Sequence, residues 1–102
     1  MELMHRLRRD CPWDREQTLD SLRPYVLEEA YEVLESMHDP QAHRRELGDL
    51  LFQIVFHTAI REEQGAFGIA EVIESIRSKM IRRHPHVFLA EGQDPASVDK
   101  SP

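Results

Sequence analysis

One cysteine, four glycines, one tryptophan and no surplus of positive charge exclude several classes of protein at once. Cys11 has no partner for an intrachain disulfide, which fits a reducing compartment and not a cross-linked scaffold. No glycine-rich phosphate loop is present, no segment alternates polar and apolar residues as a half-buried strand does, and no unit repeats. No apolar run reaches the ~20 residues that a membrane span needs, and Met1–Arg9 lacks the apolar stretch of a secretory leader. The cytoplasm is the expected location, with no membrane partner. Thirteen basic against nineteen acidic side chains give a formal charge of −6, which argues against a general nucleic-acid binder.

What remains is helical. With 102 residues, 40% hydrophobic and 31% charged, the chain reads as one small domain. A chain of this size buries a modest fraction of its surface, so self-association would help it. Its organising stretch is Arg45–Ile60. At 100° per residue, Leu47, Leu50, Leu51, Phe52, Ile54, Val55, Phe56, Ala59 and Ile60 surround the axis, a pattern normally enclosed by protein. Glu46, Asp49 and Gln53 form a narrow polar seam along the same helix.

In chain order, Leu3, Met4 and Leu7 mark one face of a short helix over Met1–Arg9, broken by Asp10-Cys11-Pro12-Trp13-Asp14. Trp13 reads either as a packing residue or as a flat wall for a nucleobase. Thr18 or Asp20 is the expected cap of a helix running from about Tyr25 to His38, with the apolar stripe Val26, Ala30, Val33, Met37 and with Leu27, Tyr31 and Leu34 beside it. Asp39-Pro40 reads as N-cap and first residue of the next helix, and Gly65 as its stop. So short a link predicts an antiparallel hairpin. A last helix over Ile69–Arg83 has the stripe Ile69, Val72, Ile73, Ile76 and Met80, and ends at His84-Pro85-His86. The domain is expected to cover residues 1–89 and a mobile tail 90–102. The expected fold is therefore all-α, three long helices and one short N-terminal helix, completed by oligomerisation.

The hairpin would bring Glu29 and Glu32 opposite Glu46 and Asp49. Carboxylates in an apolar setting are costly unless paired or metal-bound, and oxygen donors of this kind suit Mg²⁺, which keeps several waters and is shared with substrate phosphates. Glu28 adds a fifth carboxylate. A single E-x-x-E pair is commonly solvated surface; the opposed second pair is what favours a metal. Glu35-Ser-Met-His38 has the Glu-x-x-His form of di-iron bundles but occurs only once. His57 reads as a partly buried structural histidine. Lys79, Arg82, Arg83, His84 and His86 either complement the helix dipole or donate to phosphate oxygens.

Four ordered blocks carry a resemblance: Cys11-Pro12-Trp13-Asp14-x-x-Gln17-Thr18, Tyr25-x-x-Glu28-Glu29-x-Tyr31-Glu32-Val33, Glu46-Leu47-Gly48-Asp49-Leu50-Leu51-Phe52-Gln53 and Arg82-Arg83-His84-Pro85-His86-Val87-Phe88. From about Leu3 to Phe88 the chain resembles MazG-type nucleoside triphosphate pyrophosphohydrolases, and in particular the first repeat of the longer, two-repeat MazG proteins. Asp10 departs from the family in standing where a glycine commonly precedes the Cys-Pro-Trp-Asp block. The resemblance implies an all-α homodimer or homotetramer that hydrolyses nucleoside triphosphates to monophosphate and pyrophosphate with Mg²⁺, for which Mn²⁺ can substitute. It places the metal on Glu29, Glu32, Glu46 and Asp49, with Glu28 as the usual extra acid. On that basis Glu28 is expected to position or deprotonate the attacking water, Lys79, Arg82 and Arg83 to hold phosphates, and Trp13 to contact the base. The alternative is a non-catalytic helical dimer that binds a nucleotide or a protein partner.

Overall fold

Four of six helices begin at or beside a proline, whose fixed φ and missing N–H suit a first helical turn. The computed structural model describes residues 1–88; the tail expected at 90–102 lies outside them. The helices are α1 (Glu2–Asp10), α2 (Pro12–Glu16), α3 (Arg23–Glu35), α4 (Pro40–Glu63), α5 (Ile69–Arg83) and α6 (Pro85–Phe88), with no strand among the described residues. Two compact units divide the chain after Ile69. The first holds α1 to α4; the described part of the second is α5 and α6.

The all-α class is as expected, and α5 spans the residues its pattern marks. Two one-turn helices are additional. Cys11 is extended (φ −95°, ψ 117°), as a residue before proline prefers, but Pro12 then restarts the helix instead of opening a loop. Pro85 does the same after His84. Neither Thr18 nor Asp20 caps α3. Thr18 and Ser21 instead exchange hydrogen bonds, Thr18 N–H donating to Ser21 Oγ at 2.8 Å and Ser21 N–H to Thr18 Oγ1 at 3.1 Å, and Leu22 occupies the cap position. The turn into α4 is as read from the sequence: Asp39 accepts from the Gln41 amide at 3.1 Å, with Pro40 following. Gly65 takes φ +72° just past the end of α4, where an L side chain would be strained.

The core of the first unit is small: Met4, Leu22, Phe56, Ala59 and Ile60, with Met1, Leu19, Phe52 and Val55 packed against it. It therefore encloses only the second half of α4. Leu47, Leu51 and Ile54 are exposed, contrary to a helix wrapped on all sides, because α1 and α3 cover only part of its circumference. Leu3 is likewise exposed, while Met4 is the buried residue of α1.

Arg8, which no sequence pattern distinguishes, ties the short helices to α4. Its Nε and Nη2 donate to the two oxygens of Glu63, each at 2.7 Å, while Nη1 donates to the carbonyls of Asp14 (2.6 Å), Arg15 (3.2 Å) and Gln17 (3.0 Å). These are carbonyls at the end of α2, where a helix lacks internal donors. The Glu63 hydrogen bond raises the Arg8 pKa and, reciprocally, lowers that of Glu63.

Candidate active site

Helices α3 and α4 pack along each other, joined by a link of four residues. Glu29 meets Glu46 and Asp49, while Arg23, earlier in α3, lines a cavity with His57, later in α4. Later α3 residues thus meet earlier α4 residues, so the two helices run antiparallel as the short link predicts.

This pairing gathers one carboxylate oxygen from each of Glu29, Glu46 and Asp49 within 4.8 Å of one another. Glu29 and Glu46 are half-buried and Asp49 is exposed. Partial desolvation raises the Glu29 pKa above the ordinary carboxylate value, with the charges of Asp49, Glu46, Glu28 and Glu32 adding to it. Glu46 is raised by the same causes, desolvation first and then Asp49 and Glu32, together with a hydrogen bond to Asp49; Arg45 opposes this shift. None of the three carboxylates forms a salt bridge among the described residues. Three oxygen donors that repel one another and are in no such salt bridge fit a hard divalent cation, which would remove the repulsion and take oxygen ligands from two rigid helices.

Glu32 and Glu28 stand at the border of this group. Both are exposed; Glu32 is outside the 4.8 Å set, although its charge acts on both Glu29 and Glu46. Trp13 is 51% exposed and packs edge-on against Tyr25 (5.8 Å between centroids) and Phe56 (6.5 Å). One side of the indole packs on the core and the rest is open. Lys79, Arg82 and Arg83 occupy the last turns of α5 in the second unit, Lys79 and Arg82 exposed and Arg83 half-buried. The Glu35-x-x-His38 reading does not hold, because α3 ends at Glu35 and His38 lies in the following turn, not on the same helical face.

Gln53, which the spacing puts on the polar seam, and His57, read as a structural histidine, belong to the same face of α4. Gln53 Oε1 and His57 Nε2 are buried and have no hydrogen-bond partner among the described residues. Burial lowers the His57 pKa, and the Arg61 charge lowers it further, both favouring the neutral ring.

Residues 17–88 match the family described as the MazG nucleotide pyrophosphohydrolase domain. The chain is 48% identical over 92 residues to a nucleoside triphosphate pyrophosphohydrolase/pyrophosphatase MazG of Thermotoga maritima, covering 86% of this chain and 36% of the relative. It is 47% identical over 93 residues to a nucleoside triphosphate pyrophosphohydrolase of Escherichia coli, covering 86% and 35%. The chain thus spans about a third of the length of these curated relatives. Among solved structures, a mazG-related protein from Thermotoga maritima superposes with a TM-score of 0.74 at 23% identity, over 94% of this chain and 86% of that one, which shows a shared fold.

Proposed function

Because the chain belongs to the MazG nucleotide pyrophosphohydrolase domain family, we propose that it cleaves nucleoside triphosphates between the α and β phosphates. The products are the monophosphate and pyrophosphate, as in nucleotide-pool housecleaning, with magnesium required and manganese able to replace it. The relatives from Thermotoga maritima and Escherichia coli carry that activity in their names. The observation that carries the reading here is the trio Glu29, Glu46 and Asp49, drawn from two helices and without a salt bridge among the described residues.

In this proposal the trio holds the divalent ion, and Glu32 completes the set by turning its exposed carboxylate inward. The ion, when bound, supplies Lewis acidity that draws charge from the phosphate oxygens and favours loss of the water proton. Glu28, exposed on the rim beside Glu29, orients the attacking water and accepts its proton. Lys79, Arg82 and Arg83 of a neighbouring copy of the chain donate to phosphate oxygens, and the open part of the Trp13 ring offers the base a flat surface. The substrate partner is a nucleoside triphosphate, and the chain works as a homodimer or homotetramer in the cytoplasm.

Release of pyrophosphate and monophosphate from nucleoside triphosphates, assayed with Mg²⁺ and with EDTA, tests this. Asp49→Ala and Glu32→Ala are each expected to lower turnover by roughly 100-fold or more, beyond the 10–100-fold typical of changes outside the ligand set. Circular dichroism should show the helices intact. Unchanged turnover in both variants rejects the site, and nucleotide binding without turnover in the wild type favours a non-catalytic binding module.

A further inference from the structure

The polar face of α4 continues past the carboxylates. At 100° per residue Glu46, Asp49, Gln53 and His57 fall within about 80° of arc, and at 1.5 Å per residue Gln53 lies ~6 Å and His57 ~12 Å beyond Asp49 along the axis. Helix α3 runs back along this face, so the row follows the seam between the two helices. Gln53 Oε1 and His57 Nε2 are buried there without partners among the described residues. A buried polar atom that gives up hydration and gains no partner calls for an explanation, and a ligand that supplies the partner is one.

His57 also lines a cavity of about 500 Å³ together with Leu19, Asp20, Arg23, Arg61 and Phe67. That volume is in the range of small-molecule sites, and the walls combine an aromatic face with a few polar groups. All of these residues belong to the unit that carries the carboxylates. A triphosphate placed at Glu29, Glu46 and Asp49 has its sugar and base one nucleoside length away, the distance over which Gln53 and then His57 follow.

We infer that Gln53 and His57 read the nucleoside end of the substrate, with the base entering the cavity bounded by Arg23, Arg61 and Phe67 in place of the Trp13 face. Gln53 Oε1 accepts a hydrogen bond from an N–H or O–H of the nucleoside. His57, with one ring nitrogen protonated and the other bare, selects a complementary edge. Selectivity among nucleotides then resides on α4 itself, on the helix that also carries two of the carboxylates. This inference rests on the triphosphatase reading but concerns different residues.

The test uses Gln53→Met, which keeps length and helix propensity and removes the polar end, with His57→Gln as the second variant. Two readouts are taken: kcat/KM across ATP, GTP, CTP, UTP and their deoxy forms with Mg²⁺, and binding of the corresponding monophosphates by calorimetry in EDTA. Inorganic tripolyphosphate, which has no nucleoside, serves as the control ligand. Expected for Gln53→Met is about a tenfold loss for the best nucleotide, the scale of one substrate hydrogen bond. The spread among bases should narrow, monophosphate affinity should fall in parallel, and tripolyphosphate binding should be unchanged. Equal losses on all bases and on tripolyphosphate, or an unaltered ranking in both variants, overturn the inference while leaving the triphosphatase reading in place. Monophosphate affinity that falls in the variants of a chain without turnover supports the nucleoside site and rejects the triphosphatase reading instead. A wild-type chain that binds no monophosphate overturns the inference.

Discussion

Glu29 and Glu46 are raised because the fold holds them partly out of water and close to other negative charge. A carboxyl whose pKa is raised on folding binds its proton more tightly in the folded chain than in the unfolded one. Its contribution to stability therefore falls as pH rises from the unfolded value near 4.5 through the raised folded values. Metal-free Glu46→Gln is accordingly expected to melt higher than the wild type at about pH 7, with the gap closing near pH 4. MgCl₂ should raise the melting temperature of the wild type more than that of the variant. Thermal melts at both pH values, with and without MgCl₂, check this; a wild type indifferent to Mg²⁺ at pH 7 would contradict it. Glu63 has the opposite sign. The Arg8 hydrogen bond lowers its pKa, so its contribution is present above 4.5 and is lost as pH falls through the lowered value. Arg8→Ala removes five donated hydrogen bonds, three of them to helix-end carbonyls. The expected cost is about 2 kcal/mol, measured by urea unfolding, or roughly 8–16 °C in melting temperature for a domain of this size.

At the scale of elements, the long helices were legible because their punctuation is local. Asp39 caps α4 and Gly65 stops it through bonds and angles that involve only neighbouring residues. Asp39→Ala should cost about 1 kcal/mol. Gly65→Ala should cost roughly 1 kcal/mol from the backbone alone, since a Cβ there meets nothing within 4 Å. Guanidinium chloride melts of the two variants measure both, and a neutral Gly65→Ala would show that α4 does not depend on this stop. The acidic seam was legible for the same reason: spacing on each helix and a link too short for anything but a hairpin place Glu29 opposite Glu46 and Asp49. What was not legible depends on tertiary contact. No local pattern tells that Arg8 would reach Glu63, fifty-five positions away, or that Leu3 would stay outside while Met4 goes in. The α2 turn was missed because the Cys11-Pro12 step signals a break, and only the position of Pro12 at the start of a new turn shows that the helix resumes.

At the scale of the molecule, large apolar side chains outnumber what the small core absorbs. Leu27 is 72% exposed and Leu34 65%, with Tyr31, Leu47, Leu51 and Ile54 also open on α3 and α4. Leu27, Tyr31 and Leu34 on α3, and Leu47, Leu51 and Ile54 on α4, are each spaced to share one helix face, and exposed apolar faces mark interaction surfaces, which supports the proposed self-association. Sedimentation velocity is expected to give a dimer or tetramer, and Leu34→Lys with Leu51→Lys to shift it toward monomer; a monodisperse wild-type monomer would contradict the proposal. The central claim, that Glu29, Glu46 and Asp49 jointly hold a divalent ion used on a triphosphate, has one direct measurement. Mg²⁺ is titrated by calorimetry into wild type and Asp49→Ala with a non-hydrolysable nucleoside triphosphate present, alongside pyrophosphate release from the hydrolysable one. Saturable binding in the wild type, lost together with turnover in Asp49→Ala, is the expected result. Equal Mg²⁺ affinity in the two proteins, or turnover that persists without the Asp49 carboxylate, would contradict it.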